Sequence, residues 1–436
     1  MNVSRALLYL AAVLLVLSAC RKDKDDQDPP TVSFLAPEEG STLAVPDTFL
    51  VSVSVSDNKE VRSVTVQLLN SSGIPVLPAV TRNVNAASAL VSIAMVLTSE
   101  QLVSGPYSLE VRASDGSNDG RAFRTIYIQG APWRLRAVYV TSPIAASGNA
   151  LISRIDSVGQ LSTASLSPEL GGAAIDARSQ LLYTCGTLNG VLLAQQVGPG
   201  GSGWTVPNLH SGAGTTPYFL GLRLDPVDGH LYTGTEDGHI RGWTAEGTST
   251  FNATTVTGFL SHSTAVVGGK VISEQVSTGS GQRALVTHAY SSGALLGQFP
   301  LDMDVLDMYA RNDQNALVFG TRNGLGVIQD RNVDLGGTFE IREFPEGPMH
   351  AVAQLNTNTY IIAYGDRLAR WSYQTDDLST LATGITAQAL AFEPATGALY
   401  VGVGNELRRM DPNTGALVDV TSLQHAAGVI LPLRNR

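Results

Sequence analysis

Residues Asp225 to Trp243 read DPVDGHLYTGTEDGHIRGW. The stretch parses as a turn, a short strand, a second turn and a second short strand. Gly and Asp supply the turn positions where backbone φ is positive. Widened by a few residues, it becomes a four-strand unit. FLGLRLD is a first strand, PVDG turns it, and HLYTGT is the second. EDG turns again, HIRGWTA is the third strand, and STFNATTV is a weaker fourth. Such a unit is either a lone meander or one copy of a repeat, and the choice decides the fold.

The unit recurs. HLYTGTE aligns with RAVYVTS, QLLYTCG, GKVISEQ, NALVFGT, NTYIIAY and GALYVGV. The residues matched to Tyr232 are Tyr139, Tyr183, Ile272, Val318, Ile361 and Tyr400, at successive spacings of 44, 49, 40, 46, 43 and 39. A period near 43 built from short strands predicts propeller blades, here seven of them. The first copy lacks a first strand, because LRAVYVTS opens directly after a linker. The C-terminus has one to spare in AAGVILPL, so Gly428 to Leu433 is expected to complete the first blade and close the ring. DPNTGALVDV, EPATGALYVG and DPVDGHLYTG resemble YVTN-type propeller repeats, close in architecture to WD-repeat and quinoprotein propellers, over about 300 residues. The tryptophan docking series of the quinoprotein kind is missing, so no quinone, and no other cofactor, is expected.

The N-terminus reads as an address. MNVSRALLYLAAVLLVLSAC carries one basic residue, Arg5, then a twelve-residue apolar run from Ala6 to Leu17, short for a membrane span and suited to a signal peptide. LSAC resembles the bacterial lipobox. That resemblance implies a signal peptide over 1–19, cleavage before Cys20 and its lipidation, hence a membrane partner reached through a lipid anchor. RKDKDDQDPP then gives a solvated tether over 20–30. Lys24-Asp25-Asp26 resembles the surface-export signal of Bacteroidota lipoproteins, which implies an outer-membrane location, periplasmic or surface-exposed.

Residues 31–130 alternate apolar and polar positions in TFLVSVSVSD, VRSVTVQLL, LVSIAMVL, YSLEVRAS and AFRTIYIQ. About seven short strands predict an antiparallel sandwich. The order of features resembles bacterial immunoglobulin-like modules, with Tyr107 as the sandwich tyrosine whose hydroxyl bonds nearby backbone. The module is expected to act as a spacer. Asp115, Asn118 and Asp119 are expected to form a polar hairpin tip. The fold expected is thus all-β: an immunoglobulin-like β-sandwich followed, over 131–436, by a seven-bladed β-propeller closed by its C-terminal strand.

Composition narrows function by exclusion. The net charge is −10, and only four of 28 basic residues are Lys (Lys22, Lys24, Lys59, Lys270), so no nucleic-acid partner is expected. Two cysteines exclude a disulfide framework, and Cys185 within LLYTCG reads as a small buried residue. GPGGSG at 198–203 satisfies a phosphate-loop spacing but precedes Trp204-Thr205-Val206 in a β unit, so it is a loop. Asp302, Asp304 and Asp307 match no calcium loop, and no metal is expected.

One constellation remains. If first strands start at one rim of the channel, the positions matching Phe219 are His262, His350 and His425. Tyr218 and Asp304 join them, with Glu236 and Arg322 on neighbouring loops. Imidazoles, carboxylates and aromatics at a channel mouth suit a glycan, peptide or protein ligand. The expectation is a non-catalytic, membrane-anchored surface lipoprotein, with an extracellular polymer hydrolase or lyase as the alternative; no catalytic residue is assigned.

Overall fold

The computed structural model describes residues 27–144, 148–167, 169–198, 202–212 and 214–436. The expected signal peptide, Cys20 and Lys24-Asp25-Asp26 lie outside them, as do 199–201 of the glycine loop. The described residues contain strands and no helix. The chain divides between Pro132 and Trp133 into two compact units.

The N-terminal unit holds six strands: Thr31–Ala36, Thr42–Ala44, Asp47–Leu69, Val80–Leu97, Gly105–Ser114 and Asp119–Gln129. Two strands expected to be separate, around Val51 and Val64, are one strand here. Asp47–Leu69 pairs with Thr31–Ala36 near its start, with Gly105–Ser114 near its end, and with Val80–Leu97 along most of its length. Its alternation keeps a valine inward every second residue, so Val51, Val53, Val55, Val64 and Val66 are all buried. Register breaks between Ser56 and Val61, where the strand changes neighbours. Tyr107 donates its hydroxyl to the Val103 carbonyl at 3.0 Å, the backbone bond expected of it. Asp115 accepts from the Ser117 and Asn118 amides at 2.5 and 2.6 Å, which makes this acidic cluster a hairpin tip.

The second unit is a succession of four-stranded antiparallel sheets, seven among the described residues. In six of them the strands follow chain order. Sheet two is Gly172–Asp176, Leu181–Cys185, Leu192–Gln196 and Trp204–Val206; sheet three is Phe219–Leu224, Leu231–Thr235, His239–Trp243 and Ser249–Thr254. Sheets four to seven begin with Phe259–Val267, Asp304–Ala310, Met349–Asn356 and Ala389–Glu393. Sheet one is composite. Its first strand is the C-terminal Ile430–Arg434, paired with Leu135–Thr141, then Ala150–Asp156 and Leu161–Ser167. Ahead of it, Gly428 donates to the Thr141 carbonyl (2.7 Å) and Thr141 donates to that of Val429 (3.0 Å). Asn435 and Arg134 exchange two further bonds, at 2.9 and 3.0 Å.

Each first strand lies against the first strand of the next sheet, and that of sheet seven meets the C-terminal strand of sheet one. The residues aligned from sequence, Tyr139 to Tyr400, all fall on second strands and pair with first strands. Their partners are Leu431, Ala174, Arg223, Ala265, Met308, Ala353 and Ala391 in sheet order. The core is a series of apolar seams between neighbouring sheets, since each sheet has two faces to bury.

Candidate functional site

The first strands of all seven sheets enclose a cavity of about 630 Å³. Its lining includes Leu222, Leu306, Val352, Leu390 and Leu431, from five of the sheets. It also includes a polar wall whose network begins at Arg223. In the row that pairs with the aligned second-strand residues, four of the other six sheets place Ala, and sheet three places Arg223. Arg223 reaches beyond the first strand of sheet four to sheet five. There it donates to Asp307 and, at 2.6 Å, to the Met308 carbonyl. Its guanidinium stands 5.4 Å from the Tyr309 ring centroid. The Nε–H is buried without an acceptor, and the nearest carboxylate, Asp225, is 3.7 Å away.

Electrostatics in this wall are nearly self-contained. Burial disfavours the Arg223 charge, but Asp307 beside it holds its pKa above the usual value. Burial pushes the Asp225 carboxyl up, against the pull of Arg223 and the Val227 and Val266 amides. Burial and the Asp307 charge together raise Tyr309 well above its usual range. In the lining itself the Asp307 carboxylate offsets the Arg223 charge one for one.

The eight rim residues proposed from sequence all lie toward the end of the sheets where the first strands start. They do not converge. His262 occupies a bulge between Ser261 and Ser263, and its ring reaches the cavity lining. Desolvation and the Arg283 charge both lower its pKa. His350 sits in the matching bulge of sheet six, half-buried and outside the cavity lining. His425 lies five residues before the C-terminal strand. It is buried and turned into sheet one, with Nδ1 at 2.8 Å from the Ala426 carbonyl and Nε2 at 3.0 Å from Ser153 Oγ. Tyr218 and Phe219 are core residues, packed edge to face with centroids 4.8 Å apart. Phe219 is not the equivalent of His262: Phe219 pairs with Thr235, and Gln275, which matches Thr235 in sheet four, pairs with Ser261, leaving His262 as the unpaired bulge residue.

The charged rim residues each have local partners. Arg322 bonds Asp302 (3.0 Å), Glu340 (2.6 Å) and Glu343 (2.9 Å), which raise its pKa. Asp304 pairs with Arg283, and Asp307 with Arg223, so the three aspartates 302, 304 and 307 go to three different arginines. Among the described residues no three His, Cys, Asp or Glu side chains are placed to hold a metal. Glu236 binds a residue that sequence reasoning missed: His210 Nδ1 lies 2.6 Å from Glu236 Oε2, and Ser211 Oγ donates to Oε1 at 2.6 Å. Arg223 was also missed, although an arginine inside the apolar FLGLRL was a visible signal.

The fold thus defines two classes of unit, an N-terminal β module and a longer array of four-stranded sheets around a cavity. Residues 30–120 match the family described as bacterial Ig domain. No curated protein matches the chain. Among solved structures it is similar to a quinoprotein alcohol dehydrogenase-like protein from Bacteroides thetaiotaomicron, at 11% identity over 93% of this chain and 99% of that one, TM-score 0.45. It is similar to a chain of a nidogen/laminin complex at 10% identity (69% and 99% covered, TM-score 0.43). A chain of the mitotic checkpoint complex shares 13% identity (59% and 81% covered, TM-score 0.46). Nothing of those proteins' chemistry transfers at such distances.

Proposed function

We propose that the chain is a bacterial outer-membrane lipoprotein anchored through Cys20. An immunoglobulin-like sandwich serves as its spacer, and a seven-bladed β-propeller, closed by the C-terminal strand, serves as its binding module. The propeller holds a glycan, peptide or protein segment without transforming it. One observation carries this reading: the central cavity is lined by an Arg223–Asp307–Tyr309 network already bonded within itself and by aliphatic side chains from five sheets. Such a cavity suits an uncharged amphipathic group. Glycan and peptide arrays probed with the mature protein test it. Binding that is lost in Arg223→Met supports the reading, and chemical turnover of the bound polymer removes it. Metabolic labelling with a palmitate analogue, compared with Cys20→Ala, tests the anchor.

A specific observation favours a second reading, a polymer hydrolase or lyase. His210 paired to Glu236 has the form of an oriented general base. Polymer cleavage abolished by His210→Asn would establish it.

A further inference from the structure

The seam between sheets seven and one contains a pocket of about 300 Å³. Interiors are normally close-packed, so a space of this size needs a local cause. The cause appears when the seam is compared, register by register, with that between sheets two and three. There the row across sheet two is Tyr183, Ala194, Trp204. Trp204 packs 5.9 Å from Tyr183 and 6.4 Å from Trp243 of sheet three. In sheet seven the matching row is Tyr400, Arg409, Asp419. In sheet one Ile155, which pairs with Val138, stands where Trp243 pairs with Leu231. Two indoles of one seam are thus an aspartate and an isoleucine in the other. Tyr400, Asp419, Ile155 and Val138 all line the pocket.

The turn beyond the third strand carries the same imprint. In sheet three, Gly247 adopts φ +83, and a Cβ on it would lie 2.7 Å from the Trp204 ring. In sheet one the matching Gly159 also adopts φ +83, lines the pocket, and has nothing within 4 Å of the same point. Trp204 Nε1 donates to the carbonyl of Ala245 at 2.8 Å. The residue matching Ala245 is Ser157, another lining residue. The sister seam therefore shows both the shape and the hydrogen bond of what fits here.

The geometry points to a binding site for an indole-type ring at the seam of sheets seven and one. The ring stacks against Tyr400 and Ile155, its N–H directed to the Ser157 side of the turn, with Arg409 and Asp419 at the entrance. The site is separate from the central cavity and does not depend on the function proposed for it. The ring belongs either to a free aromatic compound or to a tryptophan of a peptide.

The test uses the mature protein in ligand-observed saturation-transfer NMR and calorimetry with N-acetyl-tryptophanamide, indole and the peptide Gly-Gly-Trp-Gly-Gly. Saturable binding at millimolar concentration or tighter is expected. Asp419→Trp supplies the ring from within, as Trp204 does, and should weaken binding at least tenfold while leaving the melting temperature unchanged or higher. Should that variant melt lower, Ile155→Trp, which restores the second ring of the sister seam, takes its place for the affinity measurement. A peptide that binds tighter than the amide marks a protein partner, and equal affinities mark a free aromatic compound. Absence of saturable binding to all three probes, or unchanged affinity in the filled variant, overturns the proposal.

Discussion

Deleting residues 427–436 should unfasten the second unit, and its size can be worked from burial. Ile430, Leu431 and Leu433 retain only 5%, 8% and 2% exposure. Burying an aliphatic side chain of this size contributes about 1.5–3 kcal/mol, so three contribute roughly 5–9 kcal/mol. That is an upper figure, because an unfolded chain already buries part of its surface. Domains are stable by roughly 5–15 kcal/mol, so the loss is comparable with the whole. With an unfolding entropy of about 2.1 cal/mol/K per residue, a unit of this length should melt roughly 10 °C lower. Differential scanning calorimetry of the full chain resolves this, with the N-terminal unit as internal reference. Gly428→Ala is a gentler version: a Cβ there would lie 2.2 Å from the Ser142 carbonyl, which forces the closing segment outward. Its shift should have the same sign and be smaller. A truncated chain whose second transition coincides with that of the intact chain refutes the reasoning.

Three further outcomes are expected. Burial pushes the Glu169 carboxyl up, but hydrogen bonds from Thr187, Leu188 and Asn189 outweigh it and hold the pKa at about 2. A depressed folded value stabilises above the unfolded one, near 4.5, and that contribution fades as pH falls toward 2; acid titration monitored by circular dichroism should show this dependence weakened in Glu169→Gln. Arg223→Met leaves Asp307 without its partner and should cost about 3 kcal/mol in urea denaturation, most of it recovered by adding Asp307→Leu. Burial raises the Cys185 thiol to about 12, so in a Cys20→Ser background iodoacetamide at pH 8 should label nothing until the protein is unfolded.

The repeat was legible because turn glycines and short apolar strands keep phase over one unit, which is why Tyr139, Tyr183, Tyr232 and Tyr400 all land on second strands. The C-terminal strand was legible by subtraction, from a first copy lacking its opening strand. The rim was read less well, for two physical reasons. A bulge leaves one residue of its strand unpaired, and sequence does not say which, so His262 was read as the match of Phe219 although Ser261 holds that level. Ion-pair choice also depends on cross-sheet distances that no local pattern encodes: Arg223 and Asp307 are 84 residues apart. In the N-terminal unit, two runs of alternating valines read as separate strands, yet the chain between them stays extended and merely changes partners.

Sheet one takes its opening strand from residues some three hundred positions beyond the strand it pairs with. During synthesis, Leu135–Thr141 must therefore wait with an unoccupied edge until Ile430–Arg434 arrives. Until then that edge is a template for stray pairing, a hazard that escort of the growing chain by a holdase would lessen.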